Sequence, residues 1–342
     1  MKRTLMYIPP FDITPKMLDL ISGVSELIGI MTIQLGDNAP SPQLRKKNRI
    51  KTIHSSLAIE HNSLSLKQVT DIIDGKRILG APDEIQEVKN AIETYRLMSE
   101  LDAFKEEDLL RAHGLMMKDL VKDAGRYRQD GVGVFNGEQL LHMAPPASQV
   151  PRLMSDLFLW VSTTDVHPLI HSCVFHYEFE FIHPFSDGNG RMGRYWQTML
   201  LSRWKGIFAW LPVETIVKEH QQDYYNAIAR SDAAGNSTPF VEFMLTCLLD
   251  TMQAYQPDDN EMQVQDKVQD KVQDKFPEVS KPAWEVFGVI RQRPKVTVHD
   301  ICELLKLKER QVYKHISLLK SLGLLVRVGS NKTGYWKITV KE

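Results

Sequence analysis

A chain of 342 residues with 43% hydrophobic and 25% charged residues is long enough to bury a sizeable core plus a smaller second one, and its composition excludes overall disorder. No stretch approaches the roughly 18 apolar residues of a spanning helix, and Pro9 and Pro10 interrupt the N-terminus, so neither a membrane span nor secretion is expected. The net charge of −1 conceals an asymmetry: residues 276–342 hold 13 Lys+Arg against 6 Asp+Glu, a net of +7, which leaves 29 against 37 and a net of −8 in residues 1–275.

Apolar residues recur at helical spacing over 17–34, 43–58, 82–101 and 105–122, which predicts four helices. The pattern then breaks at Val132, Gly133, Val134 and Phe135, followed by Asn136-Gly137 and residues 138–143. Asn-Gly between short apolar runs is a strong hairpin signal, because both central residues tolerate positive φ. Helical spacing resumes over 150–161, 168–181 and 189–204. The expected body is therefore mainly α, a helical bundle with an inserted β-hairpin. Cys173, Cys247 and Cys302 lie far apart without zinc-site spacing, which points to a reduced, cytoplasmic protein. Tyr224 and Tyr225 sit at helical spacing, which suits core positions.

From 258 to 275 the chain is polar and repeats Val-Gln-Asp-Lys at Val264, Val268 and Val272, which reads as a linker, either a solvated helix or disordered. Beyond it, 298–305 and 309–322 read as two helices, the second with Val312, Ile316 and Leu319 inward, Arg310, Gln311, Lys314 and Ser317 outward, and Gly323 as its stop. Strand, turn and strand follow over 324–328, 329–334 and 335–340, with Lys332 at the tip of the turn. This is a winged-helix pattern whose net charge of +7 suits DNA, with protein docking as the alternative.

Chemistry concentrates in His183-Pro184-Phe185-Ser186-Asp187-Gly188-Asn189-Gly190-Arg191-Met192-Gly193-Arg194. Pro184 ends the preceding helix, and Gly188 and Gly190 free the backbone to curl its N–H groups inward where a new helix starts, which makes an anion site. Arg191 and Arg194, three apart, share a helix face and can reach one polyphosphate. Asp187 can supply the single carboxylate that a phosphate-bridging Mg²⁺ takes from protein. His183 is suited to accept a proton near neutral pH. A plain turn needs none of these side chains.

The twelve residues resemble, position for position, the Fic family motif HPFx(D/E)GNGRxxR, and similarity extends through Gly125-Arg126-Tyr127-Arg128, Pro145-Pro146, residues 176–182 and residues 224–228, covering about 44–249. The resemblance implies a protein adenylyltransferase that uses ATP and Mg²⁺ or Mn²⁺. In that reading His183 deprotonates a Ser, Thr or Tyr hydroxyl, which attacks the α-phosphorus. Asp187 holds the metal, Gly188, Asn189, Gly190 and Arg191 cradle the phosphates, Arg194 holds the γ-phosphate, and Tyr224 and Tyr225 line the adenine pocket. The hairpin (Val134, Phe135, Asn136, Gly137) resembles the flap that docks a target by strand addition.

Residues 55–62 look like the family's inhibitory helix, (S/T)xxxE(G/N), with Ser56 and Glu60 in register; Glu60 would pair with Arg194 and take the guanidinium that the γ-phosphate needs. His61 departs from the motif, and Asn62 is expected to supply the left-handed turn one residue later. The resemblance also implies four regions: an N-terminal helical region (1–110), the catalytic core (111–255), the linker (256–275) and a winged-helix domain (276–342), similar to the tails of many bacterial Fic proteins. Candidate partners are a protein substrate, DNA and a second copy of the chain; no membrane is expected. Left open are a DNA-binding regulator whose Fic body senses nucleotide, donors that transfer UMP, phosphate or phosphocholine, and removal of AMP.

Overall fold

The computed structural model describes residues 7–35, 42–136, 139–254, 279–292, 296–328 and 335–338. The chain divides into two compact units, Met1–Gln256 and Pro257–Glu342. The expected linker, the wing turn with Lys332, and Gly137 lie outside the described residues.

The first unit runs α1 (Pro15–Leu35), α2 (Pro42–Ile59), α3 (Leu66–Ile73), α4 (Pro82–Leu97), α5 (Glu106–Met116), β1 (Gly133–Asn136), β2 (Gln139–Met143), α6 (Val150–Thr163), α7 (Pro168–Ile182), α8 (Asn189–Trp204), α9 (Val213–Glu219), α10 (Gln221–Ala234) and α11 (Thr238–Ala254). Proline opens α4 and α7, where its fixed φ suits the first turn and its missing N–H costs nothing. α7 is the central helix. Of its residues only Pro168 and Phe181 escape burial, and α6, α8 and α11 pack around it. Apolar residues lie on all its sides, which draws it inside, and His171, His176, Glu178 and Glu180 are buried with them. One core runs from Met17 in α1 to Met252 in α11, so the expected N-terminal region and catalytic core share a single interior.

Helix ends differ from the sequence reading for local reasons. The helix expected over 82–101 stops at Leu97, and the one over 105–122 stops at Met116, with Asp119 at φ +62° reversing the chain. Helices α3, α9, α10 and α11 lie where no helix was assigned. The hairpin pairs Gly133 with Met143 and Asn136 with Gln139, with a register shift between Val134 and Phe135. Asn136, expected in the turn, is the last paired residue of β1, opposite Gln139. Among the described residues no helix is long and apolar enough to cross a membrane.

The second unit contains α12 (Lys281–Gln292), α13 (Val298–Leu305), α14 (Glu309–Ser321) and an antiparallel pair, β3 (Leu325–Val328) and β4 (Tyr335–Ile338). Its core joins Ala283, Val286, Ile290, Ile301, Val312, Ile316, Leu319 and Leu325. Thr297 and Asp300 form a reciprocal cap on α13, and Gly323 at φ +69° ends the turn after α14. Arg310, Gln311, Lys314 and Ser317 are all exposed on α14. α12 was not anticipated from the sequence.

Candidate active site

α7 ends at His183, which takes a left-handed conformation (φ +48°) with its N–H donating to Phe179 O at 2.9 Å. α8 begins after Gly188, also left-handed at φ +82°. A side chain at Gly188 would meet Met117 Sδ at 2.6 Å, so the position needs glycine for space as well as for conformation. Three buried side chains hold the intervening loop by its main chain. The Asn189 amide accepts from Phe185 N–H and donates to Phe185 O, both at 2.9 Å. Arg128 donates to the carbonyls of His183 (2.7 Å), Ile182 (3.3 Å), Pro145 (2.6 Å) and Asp130 (2.8 Å), tying the base of the hairpin to the loop. His113 stacks on Phe185, ring centroids 3.6 Å apart and nearly parallel.

The tautomer of His113 follows from its partners. Gly125 N–H donates to Nδ1 at 2.8 Å, so Nδ1 carries no proton and Nε2–H donates to Asp187 O at 3.0 Å. Burial pushes its pKa down to about 4, which keeps this neutral form near pH 7.

His183 is largely buried, its side chain 16% exposed. Its Nδ1 lies 3.3 Å from Glu180 O and 3.9 Å from Glu180 Oε2, while Nε2 carries no hydrogen bond among the described residues. Burial lowers its pKa, with Glu180 opposing. A neutral ring with Nδ1–H directed at Glu180 leaves Nε2 as a proton acceptor.

The two arginines diverge. Arg191 pairs with Glu87 at 3.1 Å and Asp187 at 3.0 Å. Arg194 donates to Glu60 Oε1 (2.7 Å), Ser56 O (3.0 Å) and Ser56 Oγ (3.2 Å). Burial alone would lower the Arg194 pKa, but Glu60, with Tyr224 and Glu180 beside it, more than offsets it and holds the guanidinium charged. Arg194 Nη1 and Arg191 Nε are buried without partners, donors left free at the cradle. Glu60 Oε1 lies over the first turn of α8, where a Cβ on Gly190 would come within 2.3 Å of it. A carboxylate thus rests at the positive end of that helix.

The end of α2 corrects one expectation. His61, not Asn62, takes the left-handed conformation, at φ +70°. Asn62 N–H reaches back to Leu57 O and His61 N–H to Ala58 O, a Schellman ending with Glu60 as its last half-helical residue. Asn62 serves differently: its amide donates to Glu84 O (3.1 Å) and Glu87 Oε2 (2.7 Å), which links it through Glu87 to Arg191.

Other candidates divide. Asp187 is exposed, and Oδ1 accepts from Gly188 N–H at 2.5 Å and from Arg191, so one oxygen remains for a cation. Among the described residues no group of three or more His, Cys, Asp or Glu could hold a metal, yet a cation carried on ligand phosphates needs only one carboxylate, and Asp187 fits that need. Tyr224 is core, its hydroxyl on His176 Nε2 at 3.2 Å. Tyr225 is half-buried, and burial and then the Glu60 carboxylate raise its pKa. β1 places the backbone of Val134, Phe135 and Asn136 in the hairpin. His171 and His176 are core residues. Among the described residues the three cysteines are free thiols. The sequence reading missed Glu87 and His113, which lie outside the motif, and gave Arg128 and Glu180 no role; only their place in stretches of Fic likeness could have flagged the last two.

The Fic/DOC family profile matches residues 103–201. The protein adenylyltransferase Fic of Aedes aegypti is 28% identical over 233 residues, 64% of this chain and 44% of that protein. Its Culex quinquefasciatus counterpart is 30% identical over 225 residues, 61% and 42%. The chain spans about half the length of these curated relatives. A crystal structure of a Fic family protein from Desulfovibrio desulfuricans G20 is 44% identical, covering 98% of this chain and 99% of that one, with a TM-score of 0.70. Fic-1 (aa134–508) from C. elegans, 22% identical over 70% of this chain and 71% of its own with a TM-score of 0.57, shows the fold alone.

Proposed function

The chain belongs to the Fic family, and from that premise we propose that it is a protein adenylyltransferase that moves AMP from ATP to a hydroxyl side chain of a protein. One observation carries the reading: a neutral His183 with Nε2 free, next to a helix N-terminus and an arginine that already grips a carboxylate. His183 Nε2 takes the proton of the target hydroxyl. The hydroxyl oxygen bonds to the α-phosphorus, the bond to the bridging oxygen breaks, and pyrophosphate leaves. The start of α8 and Arg191 face the phosphates, and Arg194 turns from Glu60 to the γ-phosphate. Asn189 contributes by fixing Phe185. Asp187 would hold Mg²⁺ or Mn²⁺, which when bound neutralises charge on the α- and β-phosphates. The β1–β2 hairpin offers strand pairing to the target segment.

Glu60 is the brake in this reading, since Arg194 cannot serve it and a γ-phosphate together. The exposed Arg310, Gln311, Lys314 and Ser317 face of α14 supports a second role, DNA binding by a winged helix in the basic unit. The cytoplasmic setting rests on cysteine usage.

The test incubates the purified chain and candidate proteins with ATP labelled at the α- or the γ-phosphate. Covalent retention of the α label alone supports AMP transfer; retention of only the γ label overturns it in favour of phosphate transfer. His183→Ala should keep ATP binding and lose about 10²–10⁴-fold in transfer.

A further inference from the structure

A buried carboxylate beside the general base has no partner that accounts for it. Glu180 is 8% exposed, one turn before His183 on α7, and its Oε1 carries no hydrogen bond. Its nearest basic neighbours are His183 Nδ1, 3.9 Å from Oε2, and His176 Nε2, 3.7 Å from Oε1. His176 does not need it. Its Nδ1 is 2.7 Å from Gln197 Oε1 and its Nε2 is 3.2 Å from the Tyr224 hydroxyl, so both ring nitrogens have partners without Glu180. Arg194 is held by Glu60 and Ser56.

α8 makes room for the charge: a Cβ on Gly193 would come within 2.8 Å of both Glu180 Oε1 and His176 Cδ2. A buried, incompletely paired carboxylate is costly and persists where it serves another group.

We propose that Glu180 is the positioning residue of His183: its carboxylate and main-chain oxygen together hold Nδ1–H, so that Nε2 faces the target hydroxyl, and the carboxylate offsets the charge the ring gains on taking the proton. The ring is faced by Glu180 from α7, Arg128 from the segment before β1 and Glu60 from α2. Arg128 is a fixed cation. Glu60 leaves when a γ-phosphate takes Arg194, and Glu180 is then the remaining carboxylate among them. Although burial pushes its pKa up, His176, His183 and Arg194 hold it below the ordinary range, so it is ionised.

The rate part of this proposal rests on the adenylyltransferase reading, whereas the ring part does not. The experiment compares Glu60→Gly with Glu60→Gly/Glu180→Gln, using ring-labelled histidine and His183→Ala to assign the resonance. The His183 titration should shift to lower pH by about one unit, and the population with the proton on Nε2 should grow. In transfer assays kcat should fall about 10–100-fold, KM for ATP should hold within about twofold, and the acid limb of the pH profile should move to lower pH. A purely structural residue would lower the melting temperature and leave that limb in place.

Unchanged titration and tautomer overturn the proposal whether or not label is transferred. Shifted titration with no AMP transfer by either chain keeps the positioning claim and removes the adenylyltransferase reading. Should the Gln variant not fold, Glu180→Asp retains the charge on a shorter arm. It should restore the titration but only part of kcat, and a wild-type kcat would count against the geometry.

Discussion

The loop between α7 and α8 and the end of α2 that lies over it are held to different degrees. Arg128, His113 and Asn189 hold the loop by main-chain groups and are 2%, 0% and 2% exposed. Moving the loop would strand several buried carbonyls and N–H groups at once. The α2 end also offers two main-chain carbonyls, Ser56 O to Arg194 and Ile59 O to Gln221, but the contacts at the cradle are side chains, Glu60 on Arg194 and Asn62 on Glu87, and the Glu60 side chain is 32% exposed. Glu60 also sits at the negative end of its own helix, an unfavourable place for a carboxylate that Arg194 compensates. A ligand phosphate could replace Glu60 on Arg194, whereas nothing a ligand carries replaces Arg128. The platform is built to stay and the cover to be exchanged.

Arg128→Ala should produce the largest effect. Four carbonyls lose their donor together, and the expected destabilisation is about 3–5 kcal/mol, with transfer lost as His183 drifts. Arg128→Lys should recover little, because an ammonium cannot span the fork that the guanidinium makes. Denaturant unfolding checks both variants. A midpoint near wild type for Arg128→Ala would break the contrast, since the loop would then stand without its anchor.

Glu60→Gly should act on the cover alone. A coupling of about 1–3 kcal/mol, typical where two sites compete through one group, corresponds to a rise of roughly 5- to 150-fold in transfer, with tighter ATP binding. Titration calorimetry and the α-label assay measure the two. Glu87→Gln should give a smaller rise, because it loosens Asn62 and also removes a partner of Arg191. A Glu60→Gly chain no more active than wild type would show that Arg194 is not the limiting grip.

This asymmetry also governs what could be read from the residues. The twelve-residue motif was legible because glycines, His, Asp and arginines crowd one short segment, and α7 and α8 followed from apolar spacing around it. Glu60 was legible through the register with Ser56. Its helix ending was not, since a Schellman turn on His61 has no signal that separates it from one on Asn62. The anchors were hidden for another reason. His113 and Glu87 lie 70 and 96 residues before His183, as their numbers show, and only packing brings their helices to the loop. Asn189 carried the opposite lesson: a motif residue expected to face phosphates spends both ends of its amide on Phe185. In the second unit α14 and both strands fell close to their expected bounds, whereas α12 was not assigned although Ser280 and Pro282 mark its start.

The fixed side has a weak point of its own, and it sets the smallest of these effects. Glu214 on α9 is 2% exposed beneath α8, with long hydrogen bonds from Tyr95 (3.3 Å) and Thr198 (3.4 Å) and no partner on Oε2. Burial pushes its pKa up to about 7 from an ordinary 4.5. Between those values the folded chain binds more protons than the unfolded one, so stability falls as pH rises through the window and stays low above it. Glu214→Gln removes the charge and keeps the shape. It should be near neutral at pH 4.5 and stabilising by on the order of 1–2 kcal/mol at pH 8. Glu178, whose pKa burial likewise raises to about 7 while it accepts from Tyr7, should leave part of the pH slope in the variant. Thermal unfolding at the two pH values decides. Equal destabilisation at both would mean that Glu214 is a charged anchor of α8, and that the platform, like the cover, depends on an ion.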